Sequence, residues 1–181
     1  FKGVQGGGEA LMVKERLILA LDVDTEEKAM SLVCELGEFV GIFKVGHRLF
    51  TRYGPGIIEA IQKEGARVFY DAKFYDIPSV VEKAAQAVGE MGVDMFTLHT
   101  LGGFEMMKRA CLSAREKNPE IKVIGVTILT SLDSSGLKNE LGIARDLKEE
   151  VIHLSRLATN AGLDGVVSSP EEIESLRRAF G

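Results

Sequence analysis

Six short apolar runs, each ending in a polar residue and each followed by a stretch of helical periodicity, recur at roughly even spacing along this 181-residue chain. The first, Leu17-Ile18-Leu19-Ala20-Leu21, ends at Asp22, and the second, Val40-Gly41-Ile42-Phe43, ends at Lys44. The third, Ala66-Arg67-Val68-Phe69-Tyr70, ends at Asp71, and the fourth, Val93-Asp94-Met95-Phe96-Thr97-Leu98, ends at His99. The fifth runs from Lys122 through Leu129 to Thr130 and Ser131; the sixth, Asp164-Gly165-Val166-Val167, ends at Ser168. Continuous apolar runs such as the first, bounded by polar residues, read as strands buried on both faces. Helices are predicted from the N-cap Thr25 to the stop at Gly37, then over 55–64, 78–91, 103–116 and 146–161, with a last one ending at Phe180. The polar stretch through Asp133, Ser134, Ser135 and Gly136 reads as a loop.

Strands alternating with helices, without a hairpin signal, imply a parallel sheet with right-handed crossovers. No Gly-x-Gly-x-x-Gly follows the first run, and no Gly-x-x-x-x-Gly-Lys-Ser/Thr occurs. Two architectures remain, a doubly wound open sheet and most of a (β/α)8 barrel. In an open sheet functional groups gather at one switch point, whereas in a barrel every strand end faces a common mouth. Polar groups at all six ends favour the barrel. The expected fold is α/β, a (β/α)8 barrel of which this chain holds the first six βα units over 16–181. Residues 1–15, with glycines at 3, 6, 7 and 8, read as a flexible tail or an expression remnant, and Met12 is a plausible native start.

Length gives one domain with a sizeable core. A net charge of −5 and a pI near 5.3 argue against a nucleic-acid binder or an anionic-membrane binder. No apolar run reaches membrane-spanning length and no signal peptide is visible, so a cytoplasmic location is the expectation. Cys34 and Cys111, both in helical patterns, read as small buried hydrophobes, and the three histidines have no ligand-like spacing. His99 reads as a satisfied strand-end histidine, His47 and His153 as surface residues, and Met106-Met107 as core filling.

The chemistry concentrates in Asp71-Ala72-Lys73-Phe74-Tyr75-Asp76-Ile77-Pro78, where a strand gives way to a helix. Pro78 suits a first helical turn, which does not need its missing N–H. Asp71 and Lys73 are two apart, so an extended chain sends both side chains to one face. Taken alone the stretch also fits a bland account. Asp76 would be an N-cap, and the Asp/Lys pair a solvated ion pair worth little.

In its sequence from Arg16 to the end, the chain resembles the orotidine 5′-phosphate decarboxylase family. The most specific match is Asp71 to Pro78, which fits that family's Asp-x-Lys-Phe-x-Asp-Ile-Pro signature. It is supported by Leu19-Ala20-Leu21-Asp22, Phe43-Lys44-Val45-Gly46, Leu98-His99-Thr100-Leu101-Gly102-Gly103, Leu129-Thr130-Ser131 and Ser169-Pro170-Glu171-Glu172. The resemblance implies a cofactor-free, metal-free enzyme that makes uridine 5′-monophosphate for pyrimidine biosynthesis. It implies Lys73 as proton donor and Asp71 near the substrate carboxylate. Lys44 and Asp76 complete a Lys–Asp–Lys–Asp array, with Asp76 shared across a homodimer. Asp22 would hold a ribose hydroxyl, Thr130 and Ser131 the pyrimidine, and Ile77 an apolar wall. The residue types suit this chemistry, because a carbanion left by CO2 loss needs a fixed ammonium that stabilises and then protonates it. Alternating carboxylates keep ammonium groups charged and in place.

Two departures from the pattern stand out. Where the family often has Asn-Thr after Ile-Pro, this chain has Ser79-Val80, and Val80 has no hydroxyl for a ribose. The chain also stops at Gly181, so strands seven and eight are expected to be missing, together with the loops that commonly hold phosphate in such barrels. On that expectation the segment is a piece of a longer enzyme, poorly active alone, with exposed edges at its first and sixth strands. Two other readings compete. A related sugar-phosphate decarboxylase or aldolase would use Mg2+ and generally carries Glu where Lys44 stands, so metal-dependent turnover would identify it. A non-catalytic partial barrel need not bind a uridine phosphate analogue at Lys73.

Overall fold

The computed structural model describes residues 13–181, and most of the expected tail, with Met12, lies outside the described residues. Residues 13–16 form a helical turn, with the Arg16 and Leu17 amides donating to the Val13 and Lys14 carbonyls at 3.1 and 3.0 Å. Glu15, expected in the tail, is paired with Arg67 at 2.6 Å. A side chain at Gly41 would stand 2.6 Å from the Lys14 carbonyl, so this turn lies directly against that glycine.

Six strands alternate with helices. They are β1 (Ile18–Ala20), β2 (Ile42–Val45), β3 (Arg67–Phe74), β4 (Met95–His99), β5 (Lys122–Val126) and β6 (Gly165–Val167). They form one sheet whose order follows chain order, and β1/β2, β2/β3 and β5/β6 pair in parallel. The helices are α1 (Glu26–Leu36), α2 (His47–Tyr53), α3 (Gly56–Lys63), α4 (Pro78–Glu90), α5 (Gly103–Lys117), α6 (Ser134–Asn139), α7 (Leu147–Ala161) and α8 (Ile173–Phe180). The α/β class and the six βα units are those expected.

By internal contacts the described residues group into two compact units. One reaches to Ala72 and takes in Met91–Met95, the other is Lys73–Glu90 with Phe96–Gly181. In the first, Val33, Phe43, Val45, Leu49, Ile57, Ile61 and Val68 are 2% exposed or less. In the second, Val81, Ala85, Phe96, Leu98, Met106, Met107, Ala110 and Val123 are fully buried. The apolar stripes of α4 and α5 thus bury as their 3.6-residue spacing requires. Thr25 caps α1 by accepting the Lys28 amide, and Asp146 caps α7 by accepting the Glu149 amide at 2.8 Å.

Several expectations change. β1 is not buried on both faces: Ile18 is 46% exposed and Leu19 and Ala20 are half-buried, and among the described strands β1 stands first in the sheet, beside β2. β5 ends at Val126, three residues before the apolar run does, since Ile128 leaves the ladder to join Leu137, Val151 and Leu154 in a separate cluster. Cys34 is exposed, whereas Cys111 is buried as expected. Two helices, α2 and α6, go beyond those expected, the second capped by Asp133 within the stretch that reads as a loop.

Each of the two units also contains the same clamp. After a left-handed glycine, Gly92 or Gly162, comes Asp94 or Asp164, whose carboxylate accepts the amide of the strand before it. Asp94 accepts from Val68 at 3.0 Å and from Arg67 Nε at 2.7 Å. Asp164 accepts from Val123 and from Arg115 Nη2, both at 2.8 Å. Asp94 and Asp164 also donate their own amides to the Val68 and Val123 carbonyls, each at 2.9 Å. The Asp94 carboxylate raises the Arg67 guanidinium above its usual range.

Candidate functional site

In the first unit, the ends of β2 and β3 bring Lys44 and Asp71 together. Parallel register pairs Lys44 with Phe69, and Asp71 lies two residues further along β3, so both project from one face of the pair. Lys44 Nζ donates to Asp71 Oδ2 at 3.2 Å, and Asp71 is 7% exposed. A carboxylate that buried is held only where charge partners and donors meet it. Beside it Tyr70 is buried against Phe50, ring centroids 4.3 Å apart, and burial pushes its hydroxyl up to about 12.

Asp22, at the end of β1, is exposed, and its loop is held by α2, a helix that the sequence pattern does not announce. Arg48 and Arg52, one turn apart on α2, donate to the Asp22 and Asp24 carbonyls at 2.7 and 2.8 Å. Their i, i+4 spacing after a strand end was the available signal, but the short run His47–Tyr53 has too few apolar positions to show a period.

In the second unit, Lys73 has a φ of 47°, the one non-glycine residue with positive φ among the described residues. This overturns the extended backbone assumed for the Asp71/Lys73 same-face argument. A left-handed L-residue costs on the order of 1–3 kcal/mol and persists only where its surroundings impose it. The Lys73 amide donates to Thr97 Oγ1 at 2.9 Å, and the Phe74 ring rests on Phe96 at 6.0 Å. Tyr75 stacks at 5.8 Å on His99, which is half-buried at the end of β4.

Asp76 is exposed and accepts the Ile77 amide at 2.6 Å. It is not the N-cap of α4. The Ile77 carbonyl takes the first helical bonds, from Val80 and Val81, at 3.0 and 3.2 Å. Ile77 and Val80 are 63% and 48% exposed, and Ser79 is exposed too, so none of these three sits in an enclosed wall.

Thr130 and Ser131 are the central residues of a turn closed by the Leu132 amide on the Leu129 carbonyl at 2.9 Å. Both are exposed. The turn is anchored by Leu132 on the Ile128, Leu137, Val151 and Leu154 cluster, and by Asp133, which accepts the Gly136 amide at 2.8 Å. A cleft of about 350 Å³ opens beside Thr130, with Asp133, Lys148, Ser169 and Glu171 along its walls. A larger hollow of about 440 Å³, between α7 and α8, contains none of the predicted site residues. Among the described residues no group of three or more His, Cys, Asp or Glu side chains gathers as metal ligands, and no helix is long and apolar enough to cross a membrane.

Residues 15–181 match the model of the orotidine 5′-phosphate decarboxylase / HUMPS family. The chain is 45% identical over 173 residues to the orotidine 5′-phosphate decarboxylase of Heliobacterium modesticaldum, spanning 93% of this chain and 71% of that protein. It is 43% identical over 173 residues to that of Moorella thermoacetica, spanning 93% and 69%. Among solved structures, that of orotidine 5′-phosphate decarboxylase from Lactobacillus acidophilus superposes with a TM-score of 0.84 at 33% identity, covering 91% of this chain and 76% of that one.

Proposed function

The chain belongs to the orotidine 5′-phosphate decarboxylase / HUMPS family, and from that premise we propose that it decarboxylates orotidine 5′-monophosphate to uridine 5′-monophosphate through a Lys44–Asp71–Lys73–Asp76 array. The C6–carboxylate bond breaks, its electron pair stays on C6, and CO2 leaves. Lys73 Nζ then gives C6 a proton and regains one from water. No imine or metal delocalises that pair in this scheme, so a preorganised ammonium is the main source of stabilisation.

The observation that carries this reading is the Lys44–Asp71 pair, 3.2 Å long and largely shielded from water. Asp71 stands two residues before Lys73 in the sequence. Lys44 also speaks against the Mg2+-using sugar-phosphate enzymes, which generally place a glutamate where it stands. Asp22 is read as the ribose ligand, Thr130 and Ser131 as pyrimidine contacts, and Ile77, Ser79 and Val80 as the rim against the ribose and base. Asp76 is read as reaching the site of a second copy in a homodimer. A cytoplasmic setting suits an enzyme of nucleotide synthesis.

The test is a decarboxylation assay on the full-length protein and its Lys73→Ala variant. A proton donor of this kind contributes at least about a hundred-fold in kcat. Lys73→Ala should lose that much while keeping the parent's melting temperature within a few degrees. Parental turnover in Lys73→Ala, or turnover abolished by EDTA, would sink the proposal.

A further inference from the structure

We propose that Thr97 is a positioning residue for Lys73, holding the strained backbone from which the ammonium projects; this role rests on the decarboxylase reading above. Lys73 alone among the described non-glycine residues has a positive φ, 47°. An L-residue left to itself leaves that region, because its Cβ crowds the following carbonyl. Something must therefore hold Lys73 there, and two contacts from β4 do so. On its N-terminal side, Thr97 Oγ1 accepts the Lys73 amide at 2.9 Å. On its C-terminal side, the Phe74 ring packs on Phe96 at 6.0 Å with planes 58° apart.

Thr97 is suited to that role. It is fully buried, as are its neighbours Phe96 and Leu98, so its backbone has nowhere to move. Its branched Cβ restricts χ1, which keeps the hydroxyl oxygen aimed at one place. Valine would fill nearly the same space but has no acceptor for the amide. Losing that acceptor lets Lys73 relax toward the extended region, where side chains alternate between the two faces of a strand. Such a relaxation would turn the Lys73 side chain away from its present direction without disturbing groups that only bind substrate. The signature of the role is therefore a fall in kcat with little change in KM.

The experiment compares the full-length parent with Thr97→Val and Thr97→Ser, measuring kcat, KM and amide hydrogen exchange at Lys73. Misplacing a reacting group by about an ångström costs up to about 100-fold, so Thr97→Val should lose about 10- to 100-fold in kcat. Its KM should stay within about two-fold, since uniform binding is untouched. Thr97→Ser, which keeps the acceptor, should recover most of the rate. The Lys73 amide should exchange faster in Thr97→Val and not in Thr97→Ser. Should Thr97→Val fail to fold, Thr97→Ala removes the acceptor without adding a methyl group, and the same fall is expected. Parental kcat or unaltered Lys73 exchange in the folded variant overturns the positioning role alone. A parent inert toward orotidine 5′-monophosphate overturns the decarboxylase reading and this role with it.

Discussion

Lys44 Nζ lies 3.2 Å from Asp71 Oδ2, a link between neighbouring parallel strands made by side chains that are 23% and 10% exposed. The strand register sets it up: Lys44 pairs with Phe69, and Asp71 is the next residue of β3 on the same face. Pairs at this depth differ from those on the surface, because water screens them less and removing one partner strands the other.

The first prediction concerns that pair. In a double-mutant cycle of Lys44→Met, Asp71→Asn and the combination, followed by urea unfolding, the two changes should couple by about 0.5–3 kcal/mol. The single variants each leave a polar or charged group facing a lost partner, whereas the double variant removes both charges together. Strict additivity would mean that the two side chains merely lie near each other.

A second prediction separates stability from activity. The Asp94 and Asp164 carboxylates accept the Val68 and Val123 amides, and neither aspartate is a candidate site residue. Asp94→Ala and Asp164→Ala leave the Val68 and Val123 amides without these acceptors. Each should destabilise by about 1–3 kcal/mol. Turnover at a temperature where the variants remain folded should match the parent. Loss of activity in step with parental stability would contradict this assignment.

How far these features could be read from sequence depended on what kind of signal each left. β2, β3 and the helices α4, α5 and α7 were legible because long apolar patterns, Pro78 and the cap Asp146 agree on their limits. The short helices α2 and α6 were not, since six or seven residues hold too few turns for a period to show. Lys44 and Asp71 were both placed at strand ends, and parallel pairing did the rest. The positive φ of Lys73 left no trace, because a left-handed lysine is imposed by tertiary contacts with Thr97 and Phe96 and not by local preference. The two Gly-x-Asp clamps were visible in the sequence as Gly92-Val93-Asp94 and Gly162-Leu163-Asp164, but only the structure gives that repeat its meaning.

A third prediction is alkaline lability. Burial pushes the Tyr70 hydroxyl up to about 12 and the Cys111 thiol up to about 11, from 10.0 and 9.0. Both groups stay protonated longer in the folded chain than in the unfolded one. Their contribution is thus whole below about pH 9 and is lost as pH rises, through about 11 for Cys111 and about 12 for Tyr70. Each is worth on the order of 2 kcal/mol. Urea unfolding across this range should show stability falling with pH, and Tyr70→Phe should flatten the slope. In the same protein at neutral pH a thiol reagent should label exposed Cys34 at once and Cys111 only on unfolding.

The last prediction tests whether Asp76 serves a neighbouring subunit. Its carboxylate is exposed and tied to the Ile77 amide at 2.6 Å, among Tyr75, Ile77 and Val80, which are 63%, 63% and 48% exposed. Exposed apolar residues that flank a carboxylate in the sequence are what a protein-protein contact would cover. If Asp76 completes a site on a second copy, full-length Lys73→Ala and Asp76→Ala homodimers are each inactive for different reasons. After subunit exchange, half of the dimers are mixed, and each mixed dimer has one site with both Lys73 and Asp76 intact. Activity should then return to about a quarter of the parental value. No recovery, with exchange verified by native mass spectrometry, would place Asp76 in the site of its own chain or outside the reaction altogether.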